Sequence, residues 1–277
     1  MNSLDFDRLE QQIKPTKLTC VPFLTAIQES LKSYVDMAQN GTKPGLFIGY
    51  EQFDSDTGGL LRASLNVITA ETGGCKSTFA TNILNHVAVK RRKPTAVFSY
   101  EMLQGEFVDM LFSINANVNR NKFNTGQFHD HDLIRMTHAV GEMGQAPLYI
   151  FDVPSTVEEL EEACLQLHAG VPLELVIVDY LQLVTPTSNK DMREQQVAHV
   201  SRSLKRLAGK LKCPVIALSQ LNEDGKVRES RAIAQDANLI LNLTRDEDVL
   251  TLKIAKGRRV AKKEYRLEFL PLTCTIK

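Results

Sequence analysis

The sequence predicts an α/β fold: a mainly parallel central sheet covered on both faces by helices, with antiparallel hairpins at one edge. Two observations predict it. From Leu46 onward, short β-branched apolar runs alternate with longer segments of helical periodicity, the pattern of strands joined by crossover helices. The last runs, Leu239–Leu243 and Leu250–Ala255, leave little room for helices, and they read as an edge hairpin.

Bulk properties bound the rest. A chain of 277 residues fits one large domain, or one domain with an extension. We divide it into a tail and short linker helix at 1–45 and a main domain at 46–277. The net charge is zero, so any nucleic-acid contact has to come from local patches. The five cysteines are scattered and unpaired in spacing, which argues for a reducing compartment and against a zinc or disulfide framework. No apolar run is long enough to span a membrane, and the N-terminus lacks a signal-peptide core. A cytoplasmic protein without membrane contact is expected.

Along the chain, a helix is predicted over Phe23–Gln39, with Leu24, Ile27, Leu31 and Val35 on one stripe; the turn Asn40–Gly45 ends it. It packs on its own domain or docks on a neighbouring subunit. Candidate strands follow at Leu65–Thr69, Ala96–Tyr100, Leu148–Phe151, Leu175–Asp179, Val215–Ser219, Leu239–Leu243 and Leu250–Ala255. Helices are predicted at Lys76–Lys90, Gln104–Asn115, Asp130–Gly141, Thr156–His168 and Asp191–Leu211. In such sheets ligands sit beyond the carboxyl ends of the strands.

The chemistry starts at the first of these ends. In LNVITAETGGCKSTFATNIL (Leu65 to Leu84), a strand enters a turn bearing Gly73 and Gly74, and Lys76 and Ser77 open a helix. That order makes a phosphate cradle: backbone N–H groups and the helix N-terminus face the anion. The Lys reaches the β/γ-phosphates, and the Ser hydroxyl meets Mg²⁺. Ala70 and Cys75 stand where the phosphate-loop pattern has glycine. The loop alone therefore leaves an ordinary strand–turn–helix with a chance Lys-Ser open.

Three further strand ends carry polar groups. LELVIVD delivers Asp179 to the end of a buried strand, either as a carboxylate for Mg²⁺ or as a turn cap. AVFSY leads to Glu101, which either orients and deprotonates an attacking water or simply favours the start of the next helix. PVIALSQLN (Pro214 to Asn222) holds a strand ending in Ser219 and Gln220, the latter an amide able to bridge phosphate and downstream loops or to be satisfied by backbone. The run KGRRVAKK (Lys256 to Lys263) reads on charge alone as a solvated basic hairpin.

Several segments together resemble one family. GYEQFDSDTGGL, AETGGCKSTFATNIL, VFSYEM, VIVDYLQL, SRSLKRLAGKLKCPVIALSQLN, RESRAIAQDANLI and IAKGRR fall in the order of the hexameric replicative DNA helicases of the DnaB family. The resemblance spans roughly residues 24 to 270, and it implies a RecA-like P-loop NTPase motor domain. It also implies that ATP is held by Gly73, Gly74, Cys75, Lys76, Ser77 and Thr78, with Mg²⁺ on Ser77 and Asp179. Glu101 is then the catalytic base and Gln220 the sensor linking γ-phosphate to the DNA loops. Lys256 and Arg258 match a Lys-x-Arg finger that reaches into the neighbouring subunit's ATP site.

For single-stranded DNA, the resemblance points to the loop Asn222–Ala232, with Arg228 and Glu229 at phosphate-contacting positions and Arg231 where the family usually has Gly. A second loop, Thr185–Arg193, offers Lys190 and Arg193. A positive groove suffices for sequence-tolerant strand binding, and with no Trp and no aromatic in the 222–232 loop, stacking is expected to be minor.

The implied activity is ATP-driven translocation in a hexameric ring, with 5′–3′ polarity expected and a primase or helicase loader as further partner. The short N-terminal region departs from full-length members, which carry a collar domain, and suggests a shortened helicase of phage or mobile-element origin, or a fragment. A non-unwinding module of recombinase, loader or helicase-interfering type is the alternative. A metabolic kinase would leave the Gln220 and Arg258 segments unexplained.

Overall fold

The computed structural model describes residues 21–41, 44–179, 184, 193–221 and 231–277. The chain forms two units, Met1–Lys43 and Pro44–Lys277. In the first, helix α1 (Phe23–Asn40) starts after Pro22 and stops at Gly41, whose left-handed backbone (φ 62°) closes it. Taken by itself it is amphipathic, with Phe23, Ile27, Leu31 and Tyr34 at helical spacing on one side.

In the second unit the chain runs β1 (Gly45–Leu46), α2 (Glu51–Thr57), β2 (Leu60–Leu61), β3 (Leu65–Ala70), α3 (Lys76–Leu84), β4 (Thr95–Ser99) and α4 (Gln104–Ala116). It continues through α5 (Asn121–Thr125), α6 (Asp130–Met143), β5 (Leu148–Phe151), α7 (Val157–Gly170), β6 (Leu175–Asp179) and α8 (Arg193–Leu211). It closes with β7 (Val215–Gln220), α9 (Arg231–Asp236), β8 (Leu239–Asp246), β9 (Val249–Gly257), β10 (Glu264–Leu270) and β11 (Thr275–Ile276).

Among the described residues nine strands form one sheet in the order β11-β10-β9-β8-β3-β7-β6-β4-β5. From β8 to β5 every neighbouring pair is parallel; β9, β10 and β11 add antiparallel hairpins at the edge. The expected α/β architecture is therefore present, with one difference. Leu239–Leu243, read as part of the antiparallel edge, is antiparallel to β9 but pairs parallel with β3 through Leu239–Asn242, because the short helix α9 returns the chain to the starting end of the sheet.

Alternation along the strands makes two cores. Ile68, Val97, Ile177 and Ile216 face Phe79, Ile83, Phe107 and Leu111 on one side. Val67, Ala96, Val176 and Ala217 face Leu160, Leu204, Leu207 and Leu211 on the other. The predicted helix Lys76–Lys90 is α-helical to Leu84 and continues as a π-helical turn, Asn85–Lys90. There the His86 ring lies where Gly49, at φ 98°, would carry a Cβ, only 2.6 Å away. The buried carboxylate of Asp54 accepts the backbone N–H of Ile48 (3.0 Å) and Gly49 (2.9 Å), and Tyr50 stacks on Phe79 at 5.1 Å. The GYEQFD segment thus braces α3, the helix on which the phosphate loop ends.

Candidate active site

The phosphate loop joins β3 to α3. Gly73 takes φ 74°, a conformation side chains rarely adopt, and a Cβ on Gly74 would stand 2.7 Å from the Ala70 Cβ and 2.9 Å from the Glu71 carbonyl oxygen. Cys75 is the N-cap of α3 and is also left-handed, with φ 62°. For a residue with a Cβ that backbone costs roughly 1–2 kcal/mol, so the missing glycine is felt in the dihedral. The thiol turns toward the Gly73 carbonyl (3.8 Å) and toward Arg245 Nη1 (3.8 Å).

Lys76 is buried, and its Nζ donates to the Glu71 carbonyl at 3.4 Å. Burial lowers its pKa, while the carboxylates of Glu101 and Asp179 pull it back up. The three groups therefore feel one another across the carboxyl ends of β3, β4 and β6. Gln220, half-buried, ends β7 opposite Ala70 in register, and the Leu221 N–H on the Ala70 carbonyl (3.1 Å) fixes that end beside the loop.

Asp179 closes β6 in register with Ser99 of β4, and the Tyr100 N–H donates to the Asp179 carbonyl at 2.8 Å. The residue is 4% exposed, and burial raises its pKa to about 6 against the hydrogen bond from Ser77. Its Oδ1 is buried without a partner. An orphaned carboxylate oxygen beside a serine hydroxyl is a donor set suited to a hard divalent cation, so the residues present fit Mg²⁺.

Glu101 is exposed and lies two residues ahead of Leu103, the N-cap of α4. The helix start is served instead by Glu106, whose carboxylate accepts the Leu103 N–H at 3.3 Å. Glu106 thus caps the helix, while the charge of Glu101 acts on both Lys76 and Asp179.

The basic hairpin lies at the other end of the sheet. Gly257 pairs with Leu239, and Leu239 and its neighbours pair with β3 from Asn66 onward, so Arg258 is level with the start of β3 while the phosphate loop leaves its finish. At about 3.3 Å per residue, the intervening strand keeps Arg258 on the order of 13 Å or more from its own loop. Arg258 is exposed; Lys256 Nζ is turned onto backbone carbonyls of α9.

Of the residues expected to meet DNA, Arg193 opens α8 and Arg231 opens α9. Lys190, Arg228 and Glu229 lie outside the described residues. Two residues went unread in the sequence. Arg245 sits beside Cys75 and over the buried Phe269 ring (4.8 Å to the centroid), so a cation braced by an aromatic ring flanks the phosphate loop. Only the parallel register of β8 with β3 brings them there, and no local pattern signals that register.

The DnaB-like helicase C terminal domain matches residues 45–275. The chain belongs to that family. A replicative DNA helicase DnaB from Geobacillus stearothermophilus is 32% identical over 260 residues, covering 85% of this chain and 57% of the relative. A replicative DNA helicase DnaC from Bacillus subtilis is 33% identical over 79% of this chain and 53% of its own length. This DnaB-like chain thus spans about half the length of the curated relatives it matches. A solved structure described as an ATPase domain superposes with a TM-score of 0.83 at 25% identity, over 90% of this chain and 97% of that one. A solved structure of a DnaB-like replicative helicase and its interactions with primase gives 0.80 at 24% identity, over 99% of this chain and 70% of its own, a likeness of fold.

Proposed function

We propose that 46–277 is the ATP-hydrolysing motor of a ring-forming replicative DNA helicase that moves on single-stranded DNA, with 1–45 serving as tail and linker. The observation that carries this reading is the split of the ATP machinery across the sheet. Lys76, Ser77, Glu101, Asp179 and Gln220 gather at one end, while Arg258 stands at the other. A finger that cannot reach its own loop serves a neighbour's, as a head-to-tail ring of copies allows.

In this reading the backbone from Gly73 to Thr78, Cys75 included, receives the triphosphate of ATP, and Lys76 neutralises its β/γ end. Ser77 and Asp179 hold Mg²⁺, which when bound offsets phosphate charge. Glu101 takes the proton of the attacking water, and Gln220 reports the γ-phosphate along β7 toward the segment that precedes α9. Arg245, held over the buried Phe269 ring, offers its guanidinium to the nucleotide next to the loop. Arg228, Glu229, Arg231, Lys190 and Arg193 contribute to a DNA channel whose affinity is electrostatic. α1 supports assembly by laying its apolar stripe on a neighbouring copy. Hexameric state, 5′–3′ polarity, a primase or loader partner and a cytoplasmic setting belong to the same proposal.

Strand displacement on a forked duplex with Mg-ATP tests it. Displacement that disappears in Lys76→Ala supports the motor. ATP turnover without displacement at any protein concentration refutes unwinding and favours a non-unwinding ATP- and DNA-binding module.

A further inference from the structure

Strand alternation divides the end of β4 between the two faces of the sheet. Val97 packs into the core beside α3, and Phe98 into the opposite one, where its ring stacks on Phe151 of β5 at 4.5 Å. Tyr100 keeps to the face of Phe98, with 6.4 Å between ring centroids, and packs against the same core. Its N–H on the Asp179 carbonyl (2.8 Å) carries the ladder one residue past the strand. Ser99 keeps to the face of Val97 and lines a small cavity there with Ser77 and Asp179. Glu101, two residues on from Ser99, takes that same side as long as Tyr100 stays on its own.

Tyr100 is held there by its oxygen. Tyr100 Oη and Ser155 Oγ, both on half-buried residues, share a hydrogen bond of 2.6 Å. Ser155 is a firm post, because the next residue, Thr156, is the N-cap of α7. Thr156 Oγ1 accepts the Glu159 N–H (3.2 Å), and its own N–H donates to the Glu159 carboxylate (2.7 Å). β4 and β5 pair as far as Phe98 with Phe151, so the Tyr100–Ser155 bond ties the two chain segments beyond the end of their ladder. On the far side of Glu101, Ser99 Oγ donates to the Met102 carbonyl (2.8 Å) and closes the turn. The exposed carboxylate of Glu101 sits between these two fastenings.

We propose that Tyr100 is a positioning residue for Glu101: its hydroxyl, anchored on Ser155, holds the turn between β4 and α4 so that the Glu101 carboxylate faces the phosphate loop. The proposal rests on the reading of Glu101 as the base that takes the proton of the attacking water. Such a base has to lie within hydrogen-bond reach of its proton, and a misplacement of about 1 Å costs on the order of 100-fold in rate. A phenylalanine ring would fill the same space beside Phe98, but only the hydroxyl reaches Ser155. The oxygen therefore acts on the rate of proton removal and leaves the binding of ATP alone.

The test uses the full chain with single-stranded DNA and follows ATP turnover against ATP concentration. Tyr100→Phe keeps the ring and its packing, and it should lower kcat about tenfold with KM for ATP unmoved. Ser155→Ala should do the same, and the double variant should lose no more than either alone, since both changes remove one bond. A further arm adds Tyr100→Phe to Glu101→Gln. If the hydroxyl acts through the carboxylate, the residual turnover of Glu101→Gln does not fall again. A second loss of about tenfold in that background shows that Tyr100 acts elsewhere and overturns the proposal. Full kcat in Tyr100→Phe, or a raised KM with kcat intact, overturns it too. When Glu101→Gln loses turnover and Tyr100→Phe does not, the proposal falls alone; when Glu101→Gln keeps full turnover, the base reading falls and takes the proposal with it.

Discussion

Asp179→Asn is expected to stabilise the metal-free, nucleotide-free protein near neutral pH while abolishing ATP turnover. The carboxyl is buried, and burial is the largest cause of its rise from 3.8 to about 6, with the charge of Glu101 adding to it and Ser77 and Lys76 opposing. A rise of that size is a penalty of about 3 kcal/mol on the ionised form. Because the folded protein holds this proton more tightly than the unfolded chain, the group's favourable contribution is complete below about 4 and is lost as pH rises through about 6. At pH 7.5 the wild type therefore carries the whole penalty, and an amide carries none.

An amide bonds less well to Ser77, so a net gain of about 2 kcal/mol is the working figure, or roughly 4–8 °C in Tm for a domain of this size. Thermal melts in chelator at pH 7.5, 6, 5 and 4 measure it. The variant should lead at pH 7.5, and the gap should narrow through pH 6 and close near 4. A variant no more stable than wild type at pH 7.5, or a gap that ignores pH, refutes the reasoning.

Three other perturbations follow from the loop and the hairpin. Cys75→Gly relieves the left-handed backbone but loosens the unfolded chain by about 0.5–1 kcal/mol, so Tm should shift little while ATP binds more tightly; calorimetric titration with unchanged affinity shows that the thiol does not crowd the phosphates. Gly74→Ala places a methyl group 2.7 Å from the Ala70 Cβ, and nucleotide binding by fluorescence should fall at least tenfold; full affinity would mean the loop yields at little cost. Arg258→Ala should bind ATP normally yet stop turnover, and mixing it with Lys76→Ala should restore part of the activity through mixed interfaces. No activity at any mixing ratio counts against a finger acting on a neighbour.

Legibility in the sequence followed the range of the interactions. The placement of the Gly73–Gly74 turn, Asp179 and Glu101 was readable because each follows or closes a buried apolar run, a local signal that also carries its direction. The parallel strands were readable for the same reason. The parallel pairing of β8 with β3 was hidden, since α9 is too short to show helical periodicity and the closeness of the last strands suggested hairpins only. Arg245, backed by Phe269, meets Cys75 through that register. Cys75 itself was visible as a departure from pattern. Its consequence was not, because a dihedral of 62° and a thiol aimed at Arg245 are properties of the fold around it. Lys256 illustrates the same limit: its place in a basic run says nothing of the carbonyls that surround it.

The length of β3 has one more consequence. That strand separates Arg258 from the loop of its own subunit; on the proposed reading of Arg258 as a finger for a neighbour, no complete site exists on a single copy, and each copy holds halves of two. Activity then belongs to contacts rather than to molecules. Diluting such a protein lowers turnover per chain as well as per volume, so its specific activity climbs with concentration until the circle is closed and then levels off. On that reading the length of a six-residue strand ties catalysis to assembly.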